Sequence, residues 1–242
     1  LGIAYLETGS KTQAQNAFAK ARKSSNKAVG EQASFSFAKV CYDIGQADKA
    51  ILELESFIVQ YPQSTKNTEA KELLSQAYVN GNNYNKAIEY IESLPAKNLV
   101  IQQAYQKATY LKGVEWFNKD QFAEAEEMFK RSLSYPVNSK YVKRAACWLA
   151  DLLSAQQKSD EAIEYYQKAL SIKDDDLTLQ AQASYGIGYI YFNQKKYNTA
   201  VKHFKELVDA NDKTFFGFAD GMLRLADCYY VEKRYDDALT YY

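Results

Sequence analysis

The sequence predicts an all-α solenoid of about seven helix–turn–helix repeats, and three regularities in it carry that expectation. An alanine recurs as Ala14, Ala50, Ala87, Ala125, Ala162, Ala200 and Ala238, at spacings of 36, 37, 38, 37, 38 and 38 residues. Twelve residues before each alanine stands a small residue: Gly2, Ala38, Ser75, Gly113, Ala150, Gly188 and Ala226. Apolar side chains fill two further columns. Three residues after the small position come Tyr5, Cys41, Tyr78, Trp116, Leu153, Tyr191 and Tyr229; four after the alanine come Phe18, Leu54, Ile91, Phe129, Tyr166, Phe204 and Tyr242. A helix pair of this size cannot bury its apolar face alone, so stacked copies share a continuous core. Small residues let the paired helices approach, and the bulky column fills the space beside them. The register places the repeats at approximately 1–28, 29–64, 65–97, 98–135, 136–173, 174–211 and 212–242 of one solenoid spanning 1–242, with the first and last truncated.

Taken in order, the first repeat opens on Leu1-Gly2 in mid-helix, and the last stops at Tyr242 inside a second helix. These half-motifs suggest a piece of a longer protein. The second repeat ends at Tyr61-Pro62, where proline stops the helix; Ser64 or Thr65 is expected to cap the next one, and Glu69 favours its first turns. In the third repeat the second helix begins near Tyr84 and meets Pro95, so it should be short. The following helical pattern runs from near Asn98 to Asn118, long for a first helix. It predicts either a local change of superhelix geometry or an extension that restores regular stacking. The fourth repeat ends near Leu133, and Pro136 opens the link to the fifth. Asp174-Asp175-Asp176 leads into the sixth and reads as a helix cap, because no Asp-x-Asp-x-Asp-Gly loop surrounds it. The seventh is entered through Thr214-Phe215-Phe216-Gly217-Phe218, aromatic enough to pack on the preceding second helix.

The apolar–small pairs Leu1-Gly2, Phe37-Ala38, Leu74-Ser75, Leu149-Ala150, Ile187-Gly188 and Leu225-Ala226 carry a family resemblance, together with the turn aromatics Tyr84, Phe122, Tyr197 and Tyr235. Over essentially its whole length the chain resembles the tetratricopeptide repeat family. It departs from the family pattern at Lys112, which replaces the apolar member before Gly113. Ser34, Lys71, Thr109, Ala146, Ser184 and Met222 also stand where a bulky residue is usual. The period exceeds the usual ~34 by roughly one helical turn, which keeps the helical faces in phase. The resemblance implies a right-handed superhelix whose first helices line a concave groove. Counted from the small residues, the groove candidates are Phe35, Lys39 and Tyr42; Tyr110 and Phe117; Tyr185, Tyr189 and Phe192; and Arg224, Asp227 and Tyr230. Glu72, Gln76 and Asp151 add polar positions. The family's chaperone-tail clamp, a lysine three before and an asparagine one after the small residue, occurs in no repeat, which argues against C-terminal chaperone peptides. Tyr61-Pro62-Gln63-Ser64, Glu69-Ala70 and Ala77-Tyr78 further resemble a bacterial subgroup that includes outer-membrane assembly lipoproteins and Tol-Pal-associated periplasmic proteins. That likeness implies the cell envelope or periplasm, with the cytoplasm as the alternative.

Composition and chemistry point to binding. The 30 basic residues balance 30 acidic ones, an argument against non-specific nucleic-acid binding. No apolar run approaches the ~18 residues of a transmembrane helix. Cys41, Cys147 and Cys228 fall in the first helices of separated repeats and read as small buried residues. The one histidine, His203, is expected on the outer surface; it excludes multi-histidine metal sites and weakens any nucleophile–histidine–acid scheme. Gly186-x-Gly188 starts a dinucleotide fingerprint but lacks its third glycine and a preceding strand. No catalytic, cofactor or metal residue is therefore expected. The expected function is that of a non-catalytic scaffold for a protein or peptide of unknown identity, with tyrosine and phenylalanine as anchors. Two alternatives stay open: a structural spacer whose groove is filled by another part of the same protein, and a substrate-selecting segment of an enzyme whose catalytic domain lies elsewhere.

Overall fold

The structure, a computed structural model, describes residues 1–173 and 176–242. The described residues form fourteen α-helices and no strand. They are α1 (Gly2–Glu7), α2 (Lys11–Ala21), α3 (Lys27–Asp43), α4 (Ala47–Gln60), α5 (Asn67–Asn80), α6 (Tyr84–Ser93), α7 (Leu99–Phe117), α8 (Phe122–Ser134), α9 (Ser139–Ala155), α10 (Ser159–Leu170), α11 (Leu177–Asn193), α12 (Tyr197–Ala210), α13 (Phe218–Val231) and α14 (Tyr235–Tyr241). The packing divides into two compact units, Leu1–Lys112 and Gly113–Tyr242. In the first unit α1 to α6 each pack on the next, and first helix α3 also touches first helix α5. The second unit repeats the arrangement: α8 to α14 pack in sequence, and α9, α11 and α13 meet as consecutive first helices. Helix α6, ahead of Pro95, is ten residues long, whereas α7 runs for 19.

The columns read from the sequence form the core. The marker alanines are fully buried except Ala238, which is nearly so. The small column is buried throughout, from Gly2 to Ala226. Its glycines answer to rings. A Cβ placed on Gly2, Gly113 or Gly188 would come within 2.6, 2.7 or 2.8 Å of Phe18, Phe129 or Phe204 respectively. Where the small residue is alanine or serine, the bulky column of the same repeat holds Leu54, Ile91, Tyr166 or Tyr242 instead. Glycine thus stands wherever its own repeat supplies a phenylalanine.

Each repeat turns in the same way. One residue at each turn has positive φ: Gly9, Gly45, Asn82, Asp120, Gln157, Lys195 and Lys233, each five residues before its marker alanine. The N–H of the next residue donates to the carbonyl of the aromatic or apolar column, as in Gln46 to Cys41, Lys158 to Leu153 and Lys196 to Tyr191. This six-residue closure satisfies a carbonyl that the end of the first helix leaves free. The same donating residue is the N-cap of the second helix. Gly9 and Gly45 adopt this conformation freely; the other five residues carry the steric cost of a Cβ.

Between repeats, capping uses side chains. Asn26 accepts from Ala28 and Val29, Asn138 from Lys140, and Asp176 from Leu179. The cap expected of the aspartate run rests on Asp176; Asp174 and Asp175 lie outside the described residues. Ser64 does not cap α5 in the expected way. Its Oγ accepts from Lys66 N, one residue before the helix, while Asn67 Nδ2 donates back to the carbonyls of Tyr61 and Pro62. His203 also departs from expectation. Its side chain is only 12% exposed, stacks on Tyr191 with centroids 5.9 Å apart, and has Nδ1 3.1 Å from Glu206 Oε2. The apolar face of Tyr191 draws the imidazole inward, where burial lowers its pKa against the opposing pull of Glu206.

Candidate functional site

Helices α9 and α11 run side by side in the second unit, and their facing residues line a cavity of about 640 Å³. Helical spacing puts Trp148, Asp151 and Ser154–Ala155 on one wall, from α9. Gln182, Tyr185, Gly186 and Tyr189, at i, i+3, i+4 and i+7 of α11, make the other. Phe117 at the end of α7 closes one side, 4.5 Å ring to ring from Trp148. Phe215 and Phe216 close another from the α12–α13 link. Phe215 is buried against Tyr185 and Leu207 of α12, so half of the aromatic link packs as expected. Phe216 does not: it is 87% exposed, because Phe215, 4.8 Å away, already fills the space against α12.

The polar centre is Asp151. Tyr166 Oη donates to Asp151 Oδ1 at 2.5 Å, and Gln182 Nε2 donates to Oδ2 at 2.6 Å. Both donors are neutral, and no lysine, arginine or histidine pairs with this carboxylate among the described residues. Burial raises the Asp151 pKa against the two hydrogen bonds, which favour the charged form. The Tyr166 phenol is pushed up by burial first and by the neighbouring carboxylate second. Its ring lies where a side chain at position 186 would be, so only glycine fits there.

The remaining candidates fall into three environments. In the first unit, Phe35 is 3% exposed, 5.4 Å from the Phe57 ring and covered by the Lys66 ammonium at 5.2 Å; Tyr110 is 8% exposed. Both belong to the core and offer little surface to a partner. Lys39 is exposed and pairs with Glu69 at 2.6 Å. Half-buried Tyr42 donates to Gln76 Oε1 at 2.8 Å and accepts from Asn80. In the second unit Tyr185, Tyr189 and Phe192 form a continuous row, with centroids 5.2 and 6.3 Å apart. Tyr185 also donates to Asp220. Arg224 extends the row, with its guanidinium 5.6 Å over the Phe192 ring and bonds to Asp220 and Asp227. Tyr230 is exposed and packs on Tyr235. Trp148, Tyr166, Gln182 and Gly186 were not among the sequence candidates. Gly186 was a usable signal, being a second glycine two residues before the small column and without a role in it.

Elsewhere the described residues show no group of three or more His, Cys, Asp or Glu side chains placed to hold a metal. No described helix is long and apolar enough to cross a membrane. Cys41, Cys147 and Cys228 are all buried, and none of them is in a disulfide.

Sequence profiles described as tetratricopeptide repeat match residues 1–65 and 185–242, residues 141–213, and residues 68–94. The first of these profiles alone spans half of the chain. None of the curated proteins matches. Among solved structures, the C-terminal part of a TPR repeat-containing protein from Cytophaga hutchinsonii aligns at a TM-score of 0.58 and 12% identity, over 99% of this chain and 91% of that one. YrrB, described as a TPR protein with an unusual peptide-binding site, aligns at 0.50 and 16% identity, over 78% of this chain and 88% of its own. PilF of Pseudomonas aeruginosa aligns at 0.50 and 14%, over 87% and 88%. At these identities the likeness concerns the fold.

Proposed function

Because the chain belongs to the tetratricopeptide repeat family, we propose that it is a non-catalytic scaffold that binds a protein or peptide in the groove lined by its first helices, chiefly between α9 and α11. One observation carries this reading. The second unit leaves a cavity of about 640 Å³ open between two first helices and walls it with rings. Large rigid side chains bind with little loss of conformational freedom, and such anchors dominate the energetics of interfaces. The row Tyr185–Tyr189–Phe192 continues this surface toward α13. Exposed Phe216 at the cavity wall has more to gain from a partner than from its own chain.

The test compares capture of proteins from source-cell extract by the wild-type chain and by a Tyr189→Ala, Phe216→Ala variant. These positions are chosen because neither ring is fully buried, so the fold should survive; circular dichroism and melting confirm that. A partner held by the wild type and lost by the variant supports the groove. A partner held equally by both moves binding to another face, and capture by neither favours a spacer role.

A further inference from the structure

The cavity between α9 and α11 has aromatic walls over a carboxylate, and no basic residue lines it. Asp151 has two oxygens and one neutral donor on each, so lone pairs remain for a further donor. A carboxylate in aromatic surroundings without a cation is incomplete electrostatically, since its burial costs free energy that an opposite charge would offset. Trp148, Tyr185 and Tyr189 line the cavity, and aromatic rings attract cations. We propose that this cavity receives a basic side chain, lysine or arginine, from the bound partner, with its alkyl stem against the rings and its charged head on Asp151. The inference rests on the groove reading above and gives that groove a chemical preference.

The arrangement separates this carboxylate from others in the same unit. Asp220 and Asp227 are already engaged by Arg224. Asp212 has threonine partners, but Lys140 and Arg144 line its pocket; Asp151 has neutral partners and a cavity that no basic residue lines. Phe117 packs on Trp148, centroids 4.5 Å apart, and closes one side of the cavity.

The test uses the full chain and three small probes: Nα-acetyl-lysine methylamide, its arginine counterpart, and the neutral Nε-acetylated lysine derivative. Binding is read from the Trp148 indole N–H resonance, assigned with Trp148→Phe. The basic probes should shift it saturably, and the neutral derivative should bind at least about tenfold more weakly, as expected for loss of one charge-assisted bond. Asp151→Asn keeps the shape and an acceptor for Tyr166, and should erase the preference for the basic probes. Should that variant fold poorly, Ser154→Asp serves instead: it adds a second carboxylate to the wall and should tighten the basic probes severalfold. Equal binding of basic and neutral probes would overturn the charge preference while leaving an apolar groove. Basic probes that leave Trp148 unmoved, or that bind Asp151→Asn equally well, would also overturn it. The capture experiment reads the groove reading separately, because it does not depend on the partner's charge.

Discussion

Gly188→Ala should destabilise the second unit, although alanine is the better helix former. The added Cβ would sit 2.8 Å from two ring atoms of Phe204. Carbon atoms pack best at about 3.5–4.0 Å, so ring or helix would have to give by roughly an ångström. Phe204 is fully buried and flanked by the rings of Tyr185, Tyr189 and Phe192, which leaves it little room. Overpacking of this kind costs about 1–3 kcal/mol. The helix gains about 0.5–1 kcal/mol from replacing glycine, so the net loss should be about 0.5–2 kcal/mol. The chain itself suggests the rescue, since Ala38 pairs with Leu54 in the second repeat, where both are fully buried. Phe204→Leu alone should cost about 1–2 kcal/mol, less than the ~3–5 of a Phe→Ala change. In the double variant the two losses should not add: a favourable coupling of about 1–2 kcal/mol is expected, within the range measured for contacting residues. The assay is chemical denaturation of the four proteins, with amide exchange followed in α11 and α12, because a repeat protein need not unfold as one unit. A stabilised Gly188→Ala, or strict additivity in the cycle, would refute the size-matching argument.

Other positions give simpler tests. At the repeat turns, Gly45→Ala should lower stability by about 1–2 kcal/mol through positive φ alone, because no neighbour lies within 4 Å of the added carbon. Lys195→Gly should raise it by about 0.5–1 kcal/mol for the same reason, and melting curves check both. Burial lowers the pKa of His203, so its contribution to stability is present above the unfolded value of about 6.5 and is lost as pH falls through the lower folded value. Denaturation midpoints from pH 7.5 to 5 should therefore fall more steeply for the wild type than for His203→Gln. Tyr90 Oη is buried and meets no hydrogen-bond partner among the described residues, so Tyr90→Phe should leave the melting temperature unchanged or raise it.

The sequence made the repeat legible because side-chain size is what close helix packing constrains, and size survives translation into letters. Glycine, alanine and serine in one column and rings in another imply contact before any coordinates exist. The turn was half legible. Gly9, Gly45, Asn82 and Asp120 advertise positive φ, but Gln157, Lys195 and Lys233 adopt it because the flanking helices and the closing hydrogen bond dictate it. The groove was less legible still. Phe35 and Tyr185 occupy the same register, yet Phe35 is enclosed by Phe57 and Lys66, while Tyr185 lines the cavity. Register fixes the direction in which a side chain leaves its helix. How much of it stays open depends on neighbours that differ from repeat to repeat, such as the Phe215-Phe216 link.

Why the polar cavity arises in the fifth repeat follows from one atom. The bulky column needs only volume, and the fourth and sixth repeats supply it with Phe129 and Phe204. Tyr166 supplies the volume and a hydroxyl, which is superfluous for packing and must find a partner when buried. It finds Asp151, one residue beyond Ala150, and so holds a carboxylate at the cavity. If packing were the only requirement, Tyr166→Phe would be neutral. It should instead cost about 1–3 kcal/mol at pH 7, since Asp151 would keep only Gln182. The pH dependence gives the sign. Burial holds the Asp151 pKa above its unfolded value, so the stability linked to this group is present below about 3.9 and lost as pH rises through the folded value. Removing the phenol removes a bond that favours the charged form, so the variant should lose more on that rise. The gap between wild type and Tyr166→Phe should then be widest near neutrality and narrow as the carboxyl takes up its proton. A gap that is absent, or that stays constant with pH, would mean that Tyr166 serves the column alone and that Asp151 is held by something else.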